Sequence, residues 1–425
     1  MKKVLPFVAV IALIAALVYA QTVHKMDQET VLGYYRELLP EAVSFEPLSD
    51  RVAAAWDSSG SVAAYVGVSS YVGYGGPLLV GAVVRPDGLL EKPVILESKE
   101  TPSYLTKIER EGFYRQFAVL RADAALTPGF DVDTVSGATL STRAIVLSVA
   151  DVAHTAAIQG LGLTPQKADM PWQIGAAEFA AAALFALSLL ASKIKALAKQ
   201  RLVLLGLSIV VLGFWLNRSL SLAQFQAALL GFFPNIAQNL LWYIVLLGVL
   251  FPAAALGKNL YCQYACPFCG LQELAHKLSR LDLPVGRLMR LVRPGRSVLL
   301  FAALFLGFLS LNPSSASFEP FGTIFGLNGE SFNWYLLFVM LVAGFFFRRF
   351  WCHVFCPAGA FLDILASWRR RLGRKLAGKP AQTAAKPAQA APDRRLTKAQ
   401  FFFIGVYLIG LGVVVWTVWA TINAV

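Results

Sequence analysis

The sequence predicts an α+β extracytoplasmic domain joined to an all-α polytopic membrane domain of about seven transmembrane helices. Three observations predict it. Only 15% of the 425 residues are charged, against 57% hydrophobic, whereas soluble domains run near a quarter charged. The charges separate by sign along the chain. Apolar runs close to the ~20 residues that cross a bilayer recur through the C-terminal part. The apolar content excludes disorder for the bulk of the chain. Five cysteines in 425 residues exclude a disulfide-dense secreted scaffold.

Residues 21–170 hold 12 Lys/Arg and 18 Asp/Glu, while the rest of the chain holds 26 and 7. The formal charge of +13 therefore sits between apolar runs. A nucleic-acid reader would gather it on a folded soluble surface, so no nucleic-acid partner is expected. The runs fall at Val4–Ala20, Gln173–Ala191, Leu202–Leu216, Asn239–Leu256, Ser297–Leu311, Trp334–Phe347 and Phe401–Ile422. With the N-terminus inside, loops 192–201, 257–296 and 348–398 carry 4, 7 and 12 Lys/Arg. Loops 217–238 and 312–333 carry one between them, Arg218. Positive residues are retained on the cytoplasmic side, so residues 21–170 face outward.

Residues 1–20 read as a membrane anchor or a signal peptide. Residues 21–170 read as a soluble domain with its own core. Within it, Leu79–Val84 and Val94–Glu97 flank the turn Pro86-Asp87-Gly88, which predicts a strand pair. Ser103–Leu120 has helical spacing, and Ile145, Val149, Val152 and Ala156 mark one face of a second helix. Residues 171–376 form the membrane domain, 377–398 an Ala/Lys/Pro/Gln-rich linker, and 399–425 a last transmembrane helix. Glu178 is the one acid placed well inside an apolar run. Intramembrane acids are functional candidates, although a small shift of the boundary would leave Glu178 at the interface. The four histidines, His24, His154, His276 and His353, do not offer a facing pair within the runs, so haem is not expected.

Two constellations carry chemistry. In the first, Asp133 is followed by Ser136-Gly137-Ala138-Thr139 at the start of the second predicted helix. Free N–H groups and the positive end of the helix dipole favour a phosphate there, and Gly137 admits close backbone approach. An ordinary N-cap by Ser136 or Thr139 explains the same residues. The second is a duplicated Cys-x-x-x-Cys-Pro, at Cys262 and Cys266 and again at Cys352 and Cys356. Residues four apart share a helix face, so two such pairs offer four thiolates, enough for an iron–sulfur cluster or a tetrahedral zinc. Small apolar residues packed at helix ends are the alternative, and the duplication of Cys-x-x-x-Cys-Pro argues against it. Pro267 and Pro357 interrupt helical hydrogen bonding and free N–H groups for the sulfurs. Cys269 is spare, a structural thiol.

The first constellation resembles the flavinylation motif of FMN-binding domains in the RnfG, NqrC and NosR group. The resemblance implies FMN on Thr139 through a phosphoester bond, attached by an ApbE-type flavin transferase. Gly73-Tyr74-Gly75-Gly76-Pro77 is similar to the group's Gly-Tyr-x-Gly-Pro segment, and Glu100-Thr101-Pro102 to its Glu-Thr-Pro segment. The implied cofactor residues are thus Thr139, Ser136, Gly137, Ala138, Asp133, Glu100, Thr101, Gly75 and Gly76. Ser98 departs from the pattern, where the group often has His.

The stretch Tyr261-Cys262 to Pro267-Phe268, with Leu271-Gln272-Glu273, resembles the NosR/NirI and NapH families, except that Cys269 replaces a Gly. Trp351-Cys352 to Pro357-Ala358-Gly359-Ala360 resembles the second copy, and Glu319-Pro320-Phe321 the outer loop. Together the features resemble the NosR/NirI-like family without its ferredoxin segment. They imply a multi-pass protein of the bacterial inner membrane with a periplasmic FMN domain. Its iron–sulfur cluster, 4Fe–4S or 2Fe–2S, would be held by Cys262, Cys266, Cys352 and Cys356. The implied function is electron transfer between a quinol or cytoplasmic donor and a periplasmic reductase. The alternative is accessory or regulatory work in maturing a periplasmic metalloenzyme such as nitrous oxide reductase.

Overall fold

The structure is a computed structural model that describes residues 5–23, 27–100, 102–166, 172, 174–279, 294–313, 318–327, 329 and 331–376. Thr101, the linker 377–398 and the apolar run Phe401–Ile422 lie outside the described residues. The chain divides into two units. One holds Met1–Gln173, Ala223–Asn239 and Phe305–Ser317; the other holds Ile174–Leu222, Leu240–Leu304 and Phe318–Val425.

In the first unit, α1 (Leu5–Val23) and α2 (Gln28–Leu38) precede a five-stranded sheet. Its strands are β1 (Ser44–Ser49), β2 (Val52–Trp56), β3 (Val62–Val72), β4 (Pro77–Val84) and β5 (Val94–Ser98). Each pairs antiparallel with the next in sequence order. After the sheet come α3 (Pro102–Arg110), a 3₁₀ turn (Phe113–Val119) and α4 (Thr139–Gln159). The expected pair of strands is β4 and β5. The single helix expected over Ser103–Leu120 is instead α3 and the 3₁₀ turn, divided at Gly112, whose φ is 71°.

Side chains alternate across a strand, and both faces here are covered. Val52, Ala54, Leu78, Val80 and Val84 pack in one core with Ile145, Val149 and Val152 of α4. Ala53, Ala55, Val66, Leu79 and Val83 pack in another with Val31 and Tyr35 of α2. Two glycines set how closely the helices approach. A Cβ on Gly67 would lie 2.7 Å from Val152, and one on Gly81 would lie 2.6 Å from Leu38. The period-two alternation thus becomes a sheet with apolar residues on both sides, which is why β2 reads as an undistinguished alanine run in the sequence.

The second unit is helical. It holds α5 (Ala176–Ala191), α6 (Lys195–Lys199) and α7 (Arg201–Ser208), the last continuing as a π-helical stretch, Ile209–Trp215. Next is α8 (Leu222–Leu229), mostly in the first unit, and then α9 (Leu240–Leu256). A π turn (Tyr261–Ala265) leads to α10 (Pro267–Ser279). The series ends with α11 (Gly295–Leu309), whose last residues from Phe305 belong to the first unit, α12 (Phe321–Gly326), α13 (Ser331–Phe346), α14 (Phe350–Val354) and α15 (Pro357–Leu376). Among the described residues no helix is long and apolar enough to cross a membrane. Glu178 lies in the first turn of α5, where its carboxylate accepts the Gly175 N–H at 2.8 Å. It is a helix-start cap, and an acid there is favoured by the helix dipole.

Ile145 is fully buried between α4 and the sheet. Ile145→Ala leaves a cavity there and should cost about 2–5 kcal/mol, read as a fall in the unfolding midpoint followed by tryptophan fluorescence and far-UV circular dichroism.

Candidate functional site

The first site forms where the β3–β4 turn, the segment before α3 and the start of α4 meet. The turn closes through the Gly73 N–H, which donates to the Gly76 carbonyl at 2.8 Å. Glu100 is buried and joins all three segments. Its Oε1 accepts the Tyr74 N–H at 2.7 Å and the Ser141 hydroxyl at 2.9 Å, and the Gly75 N–H also bonds the carboxylate. Gly73 has no room for a side chain, since a Cβ there would lie 2.2 Å from Glu100 Oε1. Burial pushes the Glu100 carboxyl above its usual range, while the bonds from Gly75, Ser141 and Tyr74 pull it back. Ser98, at the departure from the family pattern, accepts the Glu100 N–H through its hydroxyl at 2.9 Å.

Thr139 is the first residue of α4 and is half-buried. The cap residue is Ala138, and no side chain caps the helix start. The ordinary N-cap reading, with Ser136 or Thr139 as the capping group, is therefore not what the structure contains. Gly137, with φ of 80°, turns the exposed Ser136-Gly137 corner. The Thr139 hydroxyl makes only a long contact to the Val135 carbonyl, 3.4 Å. Lys107 of α3 stands over the corner, its Nζ 3.1 Å from where a Gly137 Cβ would be. Uncapped N–H groups, a half-buried hydroxyl and an ammonium group suit a phosphate monoester or diester. Asp133 is exposed, and its backbone is fixed from the 3₁₀ turn: Gln116 Oε1 accepts the Asp133 N–H at 2.8 Å. Beyond Thr139 lies a cavity of about 290 Å³, lined by Leu140, Arg143 and Ala144 with Tyr71 and Phe233.

The second site gathers the cysteines, all of them free thiols. In neither copy do the pair share one regular helix, as the i, i+4 spacing suggests. Cys262 lies in the π turn and Cys352 in α14, while Cys266 and Cys356 stand just before the prolines that open α10 and α15. Proline is well suited to the first helical position, and each preceding sulfur acts as the cap. Cys266 Sγ accepts the Cys269 N–H at 3.5 Å, and Cys356 Sγ accepts the Gly359 N–H at 3.2 Å. Both sulfurs thus face helix N-termini, which stabilise thiolates. The two copies meet at Gly359, where a Cβ would lie 3.3 Å from Cys356 Sγ and 3.8 Å from Cys262 Sγ. Cys269, expected to be a structural thiol, is fully buried, and the Cys352 thiol faces Gln272 Oε1 at 3.7 Å. Among the described residues no three His, Cys, Asp or Glu side chains close around a point as a single metal ion requires.

Polar groups frame these thiols. Glu273 is buried and paired with Arg201 at 2.8 Å, with Arg348 at 3.5 Å and with Arg349. Arg296 pairs with Asp363 at 2.8 Å. These four arginines line a cleft of about 570 Å³ onto which Cys262 and Cys352 open. On the other side, the Tyr261 hydroxyl accepts the Leu220 N–H at 3.0 Å, and Trp351 packs edge-on against Phe321. Glu319 accepts the Leu222 N–H at 2.8 Å and bonds the Ala358 backbone. Loops 217–222 and 318–327, expected at the opposite ends of their helices, therefore return to the cysteines.

Comparison with known proteins fits these sites. An FMN-binding domain family model matches residues 73–154, and a 4Fe-4S binding domain model matches residues 238–286 and 332–375. Protein NirI of Paracoccus denitrificans is 34% identical over 224 residues, 45% of this chain and 32% of that protein. Regulatory protein NosR of Pseudomonas aeruginosa is 30% identical over 214 residues, 45% of this chain and 30% of that protein. A component of the ion-translocating oxidoreductase complex of Methanosarcina acetivorans is 32% identical over 165 residues, 35% of this chain and 86% of that protein. The chain is NosR/NirI-like in sequence and carries an FMN-binding domain. It spans about a third of the length of the NirI and NosR relatives it matches.

All the described flavin residues of this NosR/NirI-like chain fall within the FMN-binding match, and all five cysteines within the 4Fe-4S match. FMN and an iron–sulfur cluster are thus the groups its two sites are built to hold. Sequence reasoning missed Lys107 and Gln116, each distant in sequence from the turn it serves. It also missed the arginine frame, because those cations read as topology signals.

Glu100→Ala leaves the Tyr74 N–H and the Ser141 hydroxyl without their acceptor and should destabilise the flavin domain by about 1–3 kcal/mol; Glu100→Gln should cost less. The folded-state pKa of Glu100 lies above its usual value, so its contribution to stability is lost as pH rises through that pKa. Thermal melts at pH 5 and pH 8 should show a smaller pH difference in Glu100→Gln than in the native chain.

Proposed function

We propose that this chain is a membrane-bound electron-transfer protein of the bacterial inner membrane. Its FMN, covalently joined to Thr139, and its iron–sulfur centre, held by Cys262, Cys266, Cys352 and Cys356, connect a quinol or cytoplasmic donor with a periplasmic reductase. The observation that carries the reading is the presence in one chain of a phosphate-suited Thr139 corner and a buried site built from duplicated Cys-Pro helix starts. FMN supplies one- and two-electron chemistry when bound, and the protein supplies position and tuning. Ser136, Gly137 and Ala138 present the corner, Lys107 balances phosphate charge, and Glu100 fixes the corner against the Gly73–Gly76 turn. Gly359 leaves space between Cys262 and Cys356, and the N–H groups of Cys269 and Gly359 stabilise the sulfurs.

Crowding several thiols in one buried site favours a cationic metal group, since their mutual repulsion otherwise opposes deprotonation. The match to a 4Fe-4S binding domain favours a cluster over a single zinc. Large exposed apolar side chains on several helices support lipid contact, among them Phe179, Leu247, Val298 and Phe338. An ApbE-type flavin transferase is the expected maturation partner.

A second reading is accessory or regulatory work on a periplasmic metalloenzyme, favoured by the name regulatory protein NosR borne by one relative. Anaerobic stopped-flow spectroscopy separates the two. An electron carrier reduces and reoxidises its flavin as fast as its partner turns over. Flavin reoxidation slower than partner turnover would overturn the electron-transfer reading.

With the flavin transferase coexpressed, the native chain should give a fluorescent band on a denaturing gel, and Thr139→Ala should lose it. Ser141→Ala and Thr142→Ala should keep it; fluorescence retained in Thr139→Ala would disprove the attachment site. For the cysteines, anaerobic preparations of Cys262→Ser, Cys266→Ser, Cys352→Ser and Cys356→Ser should each lose iron and acid-labile sulfide. Iron retained in full by Cys352→Ser and Cys356→Ser would show that the two copies do not share one centre.

A further inference from the structure

Behind Cys352 stands a side-chain amide with a donor to spare. Gln272 of α10 is fully buried, and its Oε1 accepts from the Cys352 thiol at 3.7 Å. Its Nε2 has no hydrogen-bond partner among the described residues. Helix α13 closes over it, since a Cβ on Gly344 would lie 3.8 Å from Gln272 Cα and Cγ. The next residue fixes the pair in register. Glu273 is paired with Arg349, which directly precedes α14, and with Arg201 and Arg348. Helix α10 is thereby tied to the start of the helix that carries Cys352. Burying an amide with its N–H unpaired is costly, and a leucine would fill similar space without that cost. The sulfurs of the two copies also differ in what they are given. Cys266 Sγ accepts the Cys269 N–H, and Cys356 Sγ accepts the Gly359 N–H. Around Cys352 the N–H groups of His353, Phe355 and Cys356 are already committed to backbone carbonyls, and the polar group at its sulfur is Gln272.

We propose that Gln272 is a positioning residue of the iron–sulfur centre: its Nε2–H donates to Cys352 Sγ when that sulfur is a ligand, and the bond raises the centre's reduction potential. This rests on the assignment of Cys352 as a cluster ligand. A thiol has a proton to give, and Oε1 takes it. A ligating thiolate has none and is an acceptor only. The last side-chain torsion of a glutamine is broad and roughly two-fold, so a half-turn exchanges Oε1 for Nε2 at the sulfur while the rest of the side chain stays in place. The amide therefore serves Cys352 in either state, as acceptor to the thiol and as donor to the thiolate. An N–H directed at a ligand sulfur is a charge-assisted hydrogen bond. Reduction adds negative charge on the sulfurs, so the bond is stronger in the reduced state, and hydrogen bonds to the sulfurs are among the controls on cluster potential. Gln272 thus supplies to Cys352 what the backbone supplies to Cys266 and Cys356.

The test uses the full-length chain, purified anaerobically with its glutamines labelled by ¹⁵N in the side-chain amide. Iron and acid-labile sulfide are measured first. The centre is then reduced, and pulsed EPR reads any ¹⁵N coupled to its unpaired electron. The native chain should show such a coupling. It should vanish in Gln272→Leu and persist in Gln263→Leu, whose residue lines the cleft beside Cys262. Redox titration should give Gln272→Leu a lower midpoint potential than the native chain, with iron and sulfide unchanged because all four cysteines remain. Gln263→Leu should titrate like the native chain. Should Gln272→Leu lose its iron, Gln272→Asn, a shorter amide that draws the N–H back from the sulfur, takes its place with the same expected losses. An iron-loaded native chain without the ¹⁵N coupling, a coupling that survives the loss of Gln272, or an unchanged midpoint would overturn the proposal and leave the cluster assignment standing. A native chain without iron and sulfide would overturn the cluster assignment itself, so the two failures are distinguishable.

Discussion

A buried carboxylate organises the flavin half of this chain. Taking Glu100 out of water is costly unless its oxygens are bonded, and the bonds that offset this come from the β3–β4 turn and the start of α4. The position of Thr139 follows from that constraint. With Glu100 joined to Ser141, the first turn of α4 is held against Gly73–Gly76, and the Ser136–Ala138 corner stands at the edge of the sheet. Gly67 and Gly81 set the spacing of the layers beneath it. The sheet and its two cores therefore serve as a rigid mount for one exposed corner.

Legibility in the sequence differed between the two halves, for physical reasons. Strands β4 and β5 and the inward face of α4 were readable because their apolar periodicity is strong and a Pro-Asp-Gly turn separates the strands. Strand β2 was not, because alanines buried on both faces give no alternation. The Thr139 corner was readable from local motifs, yet Lys107 was invisible: its proximity to Gly137 depends on how α3 packs. Likewise the Cys-Pro copies announced four sulfurs. That each sulfur would cap the following helix, and not share a helix face with its partner, depends on the break at the proline. Arg201, Arg296, Arg348 and Arg349 carried two messages at once, orientation and a charged frame, and only the first is encoded locally.

The cysteine half shows how a duplicated motif makes one site. Each copy contributes a sulfur at a helix start and an aromatic residue just before its first cysteine, Tyr261 in one and Trp351 in the other. The halves match at the Cys-Pro helix start, but a π turn precedes it in one and an α-helix in the other, and their side chains differ. Gly359 leaves room beside Cys356 and Cys262, whereas the corresponding position of the first copy carries the buried thiol of Cys269.

The return of loops 217–222 and 318–327 to the cysteines has an electrical consequence. A helix such as α9, 17 residues long, spans about 26 Å at 1.5 Å per residue, a long stretch of saturated hydrocarbon for charge to traverse. On the loop side that stretch is replaced near the sulfurs by Tyr261, Trp351 and Phe321, whose rings connect the thiols to loops from the far ends of neighbouring helices. The surroundings of the cysteines are thus unequal, with saturated side chains along the helices and conjugated rings toward the loops. Cys262 and Cys352 open on the other side to the arginine-lined cleft, so the site has one aromatic wall and one cationic one.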